Sequence, residues 1–173
     1  NDEGSVNIDS CVFDAVGNAI SMGNGDYDNY DRILSNSSIV INRINQNNNN
    51  SLNAVSGDLT AISKSTILTF GNTAIVGDYN VNNSNLTTNR FGIINPNSNI
   101  LSNATNNYWG HSSGPYHPTQ NTNGLGDSVN TFVNIDPWLT TPDTDAPPIP
   151  AQNTTVTGTG NDFISLNWDT SPL

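Results

Sequence analysis

The densest run of chemistry-bearing side chains is Gly23-Asn24-Gly25-Asp26-Tyr27-Asp28-Asn29-Tyr30-Asp31. Carboxylates at alternating positions on a glycine-containing loop suit a hard cation, because Ca²⁺ takes several oxygens converging from a flexible turn. Asp26, Asp28 and Asp31 are the candidate calcium ligands. As a calcium loop the run is incomplete, since no glycine follows Asp28 at the usual place and no glutamate closes it. A solvated acidic loop is the competing reading. Tyr27 and Tyr30, set among these acids, are the candidate carbohydrate contacts, each an apolar ring with a polar tip.

Catalysis needs more than acids. A glycosidase holds two carboxyl groups about 5 to 9 Å apart across a groove, and Asp9, Asp14, Asp58 and Asp78 are the residues that one face of a repetitive β fold can bring together. A lyase acting on an acidic sugar needs a cationic base, but Arg32, Arg43, Lys64 and Arg90 are scattered and stand beside no acidic cluster. The expectation is therefore no catalytic residue. If the chain were an enzyme, it would be a polysaccharide lyase or glycoside hydrolase.

His111 and His117 are spaced within reach of one Zn²⁺, yet the sequence places no third ligand beside them. Turn roles are expected instead. A single cysteine, Cys11, excludes an internal disulfide framework and any multi-cysteine metal site. It reads as an inert thiol. Asn36, Asn49, Asn82, Asn85, Asn103 and Asn153 each open an Asn-x-Ser/Thr sequon, the acceptor pattern for N-glycosylation.

The chain that must position these groups is acidic, with 15 Asp and Glu against 4 Lys and Arg and a net charge of −11. Nucleic acid is excluded as a partner, because phosphate binding needs clustered cations. No apolar run is long enough to span a bilayer. The first residue is Asn and no signal-like segment follows, so a processed chain or an excerpt of a longer one is expected. Asn supplies nearly a fifth of the residues. Interleaved Ile, Val and Thr argue for ordered β structure with many polar turns rather than disorder.

Residues 1–102 are quasi-periodic. Ser10-Cys11-Val12-Phe13, Asn42-Arg43-Ile44-Asn45, Ser65-Thr66-Ile67-Leu68, Ser84-Asn85-Leu86-Thr87 and Ser98-Asn99-Ile100-Leu101 repeat a small polar residue before a short apolar strand. Their starts fall 32, 23, 19 and 14 residues apart. Second strands follow at Asn18–Ser21, Asn53–Ser56, Thr73–Val76 and Phe91–Ile94. Strands this short suit coils that bond to the coils above and below, and Asn tolerates the left-handed conformations that sharp corners need. Gln46–Asn50 reads as a corner loop. About four to five coils are expected, at one strand spacing per coil.

Residues 103–140 break the repetition. They carry Asn107-Tyr108-Trp109-Gly110, Ser113-Gly114-Pro115, His117-Pro118, Gly124-Leu125-Gly126-Asp127 and Pro137-Trp138-Leu139 in that order. This segment resembles the closure of the C-terminal end of many secreted, pectin-lyase-like right-handed parallel β-helix proteins. The resemblance implies an all-β, right-handed parallel β-helix (solenoid) with a C-terminal cap in which Tyr108, Trp109 and Trp138 cover the stack. It implies no activity.

Residues 141–150, Thr-Pro-Asp-Thr-Asp-Ala-Pro-Pro-Ile-Pro, read as a stiff linker. Residues 151–173 alternate like two strands around Gly158-Thr159-Gly160 and end near Trp168. They resemble the opening of a fibronectin type III domain, which implies two strands of an incomplete sandwich. Two such strands do not fold alone. The expected protein is therefore an extracellular or cell-surface, non-catalytic structural or adhesive module, possessed of calcium as its one candidate cofactor. Its expected partners are neighbouring copies that complete it by strand addition, or the remainder of a larger surface protein. A carbohydrate-binding or polysaccharide-degrading module is the alternative.

Overall fold

A computed structural model of the chain describes residues 5–15, 18–21, 32–41, 53–57, 59–169, 171 and 173. No helix occurs among them, and none therefore is long and apolar enough to cross a membrane. Strands arrive in threes. β1 (Val6–Asp9), β2 (Val12–Ala15) and β3 (Ile20–Ser21) are followed by β4 (Arg32–Ser35), β5 (Ser38–Ile41) and β6 (Asn53–Ser56). Next come β7 (Ala61–Ser63), β8 (Thr66–Leu68) and β9 (Thr73–Val76), then β10 (Asn80–Asn82), β11 (Asn85–Thr87) and β12 (Phe91–Ile94).

Every third strand pairs in parallel. The sheets run β1-β4-β7-β10, β2-β5-β8-β11 and β3-β6-β9-β12. Parallel neighbours need a long crossover, and here the other two strands of each turn supply it. The chain is all-β with large parallel sheets, as a parallel β-helix requires.

Register explains the core. Because side chains alternate along a strand, one inward position per strand forms a column: Ile8, Leu34, Ile62 and Val81 in the first sheet. Phe13, Ile39, Ile67 and Leu86 form the second column, and Ile20, Val55, Ile75, Ile93 and Val129 the third. These three columns meet in one hydrophobic cluster. Stacking like on like keeps each aliphatic side chain against another along the axis.

One corner is constant. Between the first and second strand of each turn stand two residues: Ser10-Cys11, Asn36-Ser37, Lys64-Ser65 and Asn83-Ser84. The first of each pair is left-handed, with φ between +45° and +54°. Each serine hydroxyl then does two things. It accepts the backbone N–H of the residue one turn below (Cys11 to Ser37, 3.2 Å; Ser37 to Ser65, 3.3 Å), and it donates to the carbonyl two residues back, as Ser65 Oγ does to Ser63 at 2.9 Å. Ser65 N–H continues the column to Ser84 Oγ (3.2 Å), and Ser84 N–H ends it on Asn107 Oδ1 (2.9 Å). Cys11 opens the column, its thiol donating to the Asp9 carbonyl at 3.3 Å.

This column gives the true spacing of the turns, 26, 28, 19 and 23 residues, and corrects the intervals read from the sequence. Ser98–Leu101, expected as a strand, is a turn with Ile100 and Leu101 exposed. The reason is local: Asn95 Oδ1 accepts Asn97 N–H (2.8 Å) and Asn97 Oδ1 accepts Asn99 N–H (3.0 Å), side-chain turns that compete with strand. Asn42–Asn45 and Gln46–Asn50 lie outside the described residues.

The closing segment adds β13 (Ser102–Asn103), β14 (Pro115–Tyr116), β15 (Gly126–Val129) and β16 (Val133–Asn134). β15 pairs with β12 and then β14 with β15, which extends the third sheet, while β13 pairs with β16. Tyr108 bridges Asn85 in the second sheet, donating its N–H to the Ser84 carbonyl and accepting Leu86 N–H. Trp109 is wholly buried within the hydrophobic cluster, and Trp138 packs against that cluster. Trp109 lies so close to β12 that a Cβ on Gly92 would stand 2.7 Å from its ring.

The proline-punctuated stretch expected as a linker is docked. β5, β8 and β11 are buried at every position; Val40 and Leu68, at positions alternating with the core column, lie outside the main cluster and still have no exposure. Asn85, on that outward face, holds Asp143 by two hydrogen bonds, Lys64 faces Asp145 at 3.9 Å, and Ala146 is buried. The segment is a strap returning along the outside of the second sheet. After it, β17 (Thr155–Thr159) and β18 (Ile164–Asn167) form an antiparallel hairpin.

Candidate functional site

The acidic loop with Asp26, Asp28 and Asp31, and with it Tyr27 and Tyr30, lies outside the described residues, as do Asp58 and Asn49. Among the described residues, no three His, Cys, Asp or Glu side chains converge as metal ligands would. Asp9 closes β1 and accepts Ser35 Oγ (2.7 Å), Asn36 Nδ2 (2.8 Å) and Ser10 Oγ (3.0 Å). Those bonds, Ser35 first, hold its carboxyl below the ordinary range. Asp14 stands on β2 in the second sheet, and Asp78 follows β9 and accepts Asn97 Nδ2 at 3.1 Å. The three stand on different elements of the stack.

Both histidines serve turns. His117 is buried and its Nδ1 accepts the N–H groups of Thr119 (3.1 Å) and Gln120 (2.9 Å). Burial pushes its pKa down, against smaller opposing contributions from the Val133 and Thr131 carbonyls. His111 Nδ1 accepts Ser113 N–H at 3.1 Å. An Nδ1 that accepts backbone hydrogens has no lone pair for a metal.

The sequons divide by accessibility. Asn36, Asn103 and Asn153 are exposed and Asn82 is half-buried with its amide on Thr105. Asn85 is a correction: it is 2% exposed and its amide is spent on Asp143 and Thr66, so the folded chain cannot carry a glycan there.

The surface that stands out is the hairpin. All its described strand positions but Gly158 are exposed. Ile164, Leu166 and Trp168 fall on one face by alternation, and Val156 joins them opposite Leu166. Their exposures are 69%, 50%, 55% and 62%. Scattered apolar residues on a surface are ordinary, whereas a contiguous patch marks an interaction site. Asp169 anchors the hairpin's end by donating its N–H to Gln152 (3.0 Å) and accepting Asn153 Nδ2 (2.6 Å). Where the hairpin's approach meets the stack, a cleft of about 600 Å³ is lined by Asp14, Phe70, Gln152, Asn153 and Asp169 among others.

Comparisons with protein-family models, curated proteins and solved structures give no match to this chain.

One polar pair escaped the sequence reading. Asp127 on β15 is buried and accepts two bonds from Asn89, from its N–H at 3.1 Å and from its side-chain amide. The signal was present in Gly124-Leu125-Gly126-Asp127, but nothing in the sequence said that an asparagine 38 positions earlier would meet it.

Proposed function

We propose that this chain is a non-catalytic structural or adhesive module of the cell exterior, a right-handed parallel β-helix of about four to five coils closed by residues 103–140 and followed by the opening strands of a fibronectin type III-like sandwich. The observation that carries this reading is the exposed apolar face of Val156, Ile164, Leu166 and Trp168. Two strands with one apolar face are unstable in isolation. A partner strand pair supplied by a neighbouring copy covers that face and completes the sandwich.

A second feature favours the same assembly. Among the described residues, β1, β2 and β3 are the terminal strands of their sheets and leave one edge unpaired, and free edges invite strand addition. Head-to-tail contacts give filaments where the rotation between copies does not close a ring.

Light scattering on the intact chain over a hundredfold concentration range tests the proposal. The expected result is a mass that rises with concentration and a rise abolished by Leu166→Glu. A monodisperse monomer whose hairpin resists protease would overturn it. Calcium at Asp26, Asp28 and Asp31 belongs to the same proposal: chelator should lower the melting temperature while an equal ionic strength of NaCl should not.

The carbohydrate reading draws on the cleft, where Phe70 offers a ring and Asp14, Gln152, Asn153 and Asp169 offer polar contacts. A rise in melting temperature with an added polysaccharide, lost in Phe70→Ala, would favour it.

A further inference from the structure

The joint between the closure and the last turn of the stack contains a carboxyl group with no cation to balance it among the described residues. Asp127 is 8% exposed. Its own N–H donates to the Trp109 carbonyl (2.8 Å), and its side chain packs beside Gly92 of β12. The turn before β12 contributes Asn89, which supplies both hydrogen bonds to the carboxyl. The charged and titratable groups on the surrounding elements are otherwise occupied. Arg90 is exposed and lies over the Phe91 ring, 5.2 Å from its centroid. His111 bonds Ser113, Tyr108 continues the second sheet, and Tyr116 of β14 is exposed. None of them bonds Asp127 among the described contacts.

Asn89 itself is 8% exposed, and its Oδ1 has no hydrogen-bond partner. An orphaned buried acceptor costs free energy. Turning the Asn89 amide exchanges its nitrogen and oxygen, so that Oδ1 can receive a hydrogen from a protonated Asp127; the 3.3 Å bond from Nδ2 to the Ile67 carbonyl is given up, and Nδ2 moves to the place where Oδ1 had no partner. The pair therefore has two hydrogen-bonded arrangements that differ by one proton.

We propose that Asp127 and Asn89 form a proton-operated latch: with the carboxyl neutral, β15 and Trp109 are held against the end of the stack, and ionisation of the carboxyl loosens that closure. The proton leaves Asp127 to solvent, and the charge it leaves behind has no counter-ion in an apolar joint, where an unpaired charge is costly. In support, burial, which outweighs the two Asn89 bonds, pushes the Asp127 pKa up to about 7 from 3.8. With the folded value raised, the stabilisation is fully present below the unfolded value and is lost as pH rises through about 7. The latch thus weakens across the neutral range, and what it uncovers is the stack's apolar end around Trp109, Ile93 and Val129.

Two measurements on the intact chain decide this. In a carbon NMR titration of the wild type, the Asp127 carboxyl should move with a midpoint near neutrality; a midpoint in the ordinary carboxylate range would overturn the latch. Hydrogen exchange, corrected for the intrinsic pH dependence, should rise at least tenfold in residues 103–139 between pH 5.5 and 8.5, against little change in β4 to β9. In Asp127→Asn, which carries no charge at either pH, that pH-dependent rise should disappear. Equal pH dependence in the two proteins would sink the proposal, and the NMR arm stands even if the variant does not fold.

Discussion

Asn85 and Asp143 exchange a pair of hydrogen bonds: the Asn85 amide donates to the Asp143 carbonyl at 3.0 Å, and Asp143 N–H donates to Asn85 Oδ1 at 2.8 Å. They are 58 residues apart. A side chain has taken the place of a neighbouring strand and fixed the strap to the outside of the second sheet.

Replacing Asn85 with Leu should therefore detach the strap. Both partners on Asp143 are lost in a half-buried setting, a cost of about 1–3 kcal/mol. Limited proteolysis should show new cleavage within residues 141–150 in the variant, with the sheets still intact by circular dichroism. Unchanged protease resistance would mean that Val40 and Leu68 are covered by something other than the strap.

The serine corner makes a second prediction. Ser65 Oγ accepts Ser37 N–H and donates to the Ser63 carbonyl, so Ser65→Ala leaves the buried Ser37 N–H without its acceptor, while the half-buried Ser63 carbonyl keeps its bond from Asn36 N–H. A loss of about 1–3 kcal/mol is expected, measured by denaturant unfolding. Ser65→Cys should recover part of it, because Cys11 already fills the equivalent place at the column's start.

Tight packing at the closure supplies the third. With the Trp109 ring 2.7 Å from where a Cβ on Gly92 would sit, Gly92→Ala should destabilise by about 1–3 kcal/mol through overpacking. Trp109→Ala removes the plug and should cost about 3–5 kcal/mol. Because the clash at Gly92 needs the indole, the double variant should be no worse than Trp109→Ala alone. Thermal melts of the three proteins give the comparison.

His117 gives a pH prediction of opposite sign to the latch. Its folded pKa is lowered, chiefly by burial, so the stability it contributes is present above the unfolded value of about 6.5 and is lost as pH falls through the folded value. Protonating Nδ1 also removes the acceptor for Thr119 and Gln120 N–H. Melting temperature should fall between pH 7.5 and 5 more steeply in wild type than in His117→Asn. Parallel curves would show that the turn does not depend on the neutral ring.

Much of the architecture was legible because it is periodic. Ile, Val and Leu in short runs between Asn and Gly announced stacked strands, and the all-β parallel arrangement follows that pattern. The turn spacing was not legible, because apolar runs do not mark it. Those runs drift: Ile100 and Leu101 imitate a strand but are exposed. The polar corner is the better ruler, because its pairs occupy one backbone conformation each time. The strap was hidden for a different reason. Prolines signal stiffness, but nothing local in Thr141–Pro150 reveals that Asn85 stands ready to bond it. The Asp127–Asn89 pair was hidden likewise, because long-range pairing depends on register that only the folded stack supplies.

Between β1 and β2, β4 and β5, β7 and β8, and β10 and β11 the chain always spends two residues, while whole turns range from 19 to 28. The differences in turn length therefore fall elsewhere than at this corner; residues 42–52, for one, stand between β5 and β6. The Ser37–Ser65–Ser84 edge acts as a spine of fixed gauge, and evolution or an engineer is free to lengthen what hangs from the opposite sides without changing the pitch at which the turns are laid down.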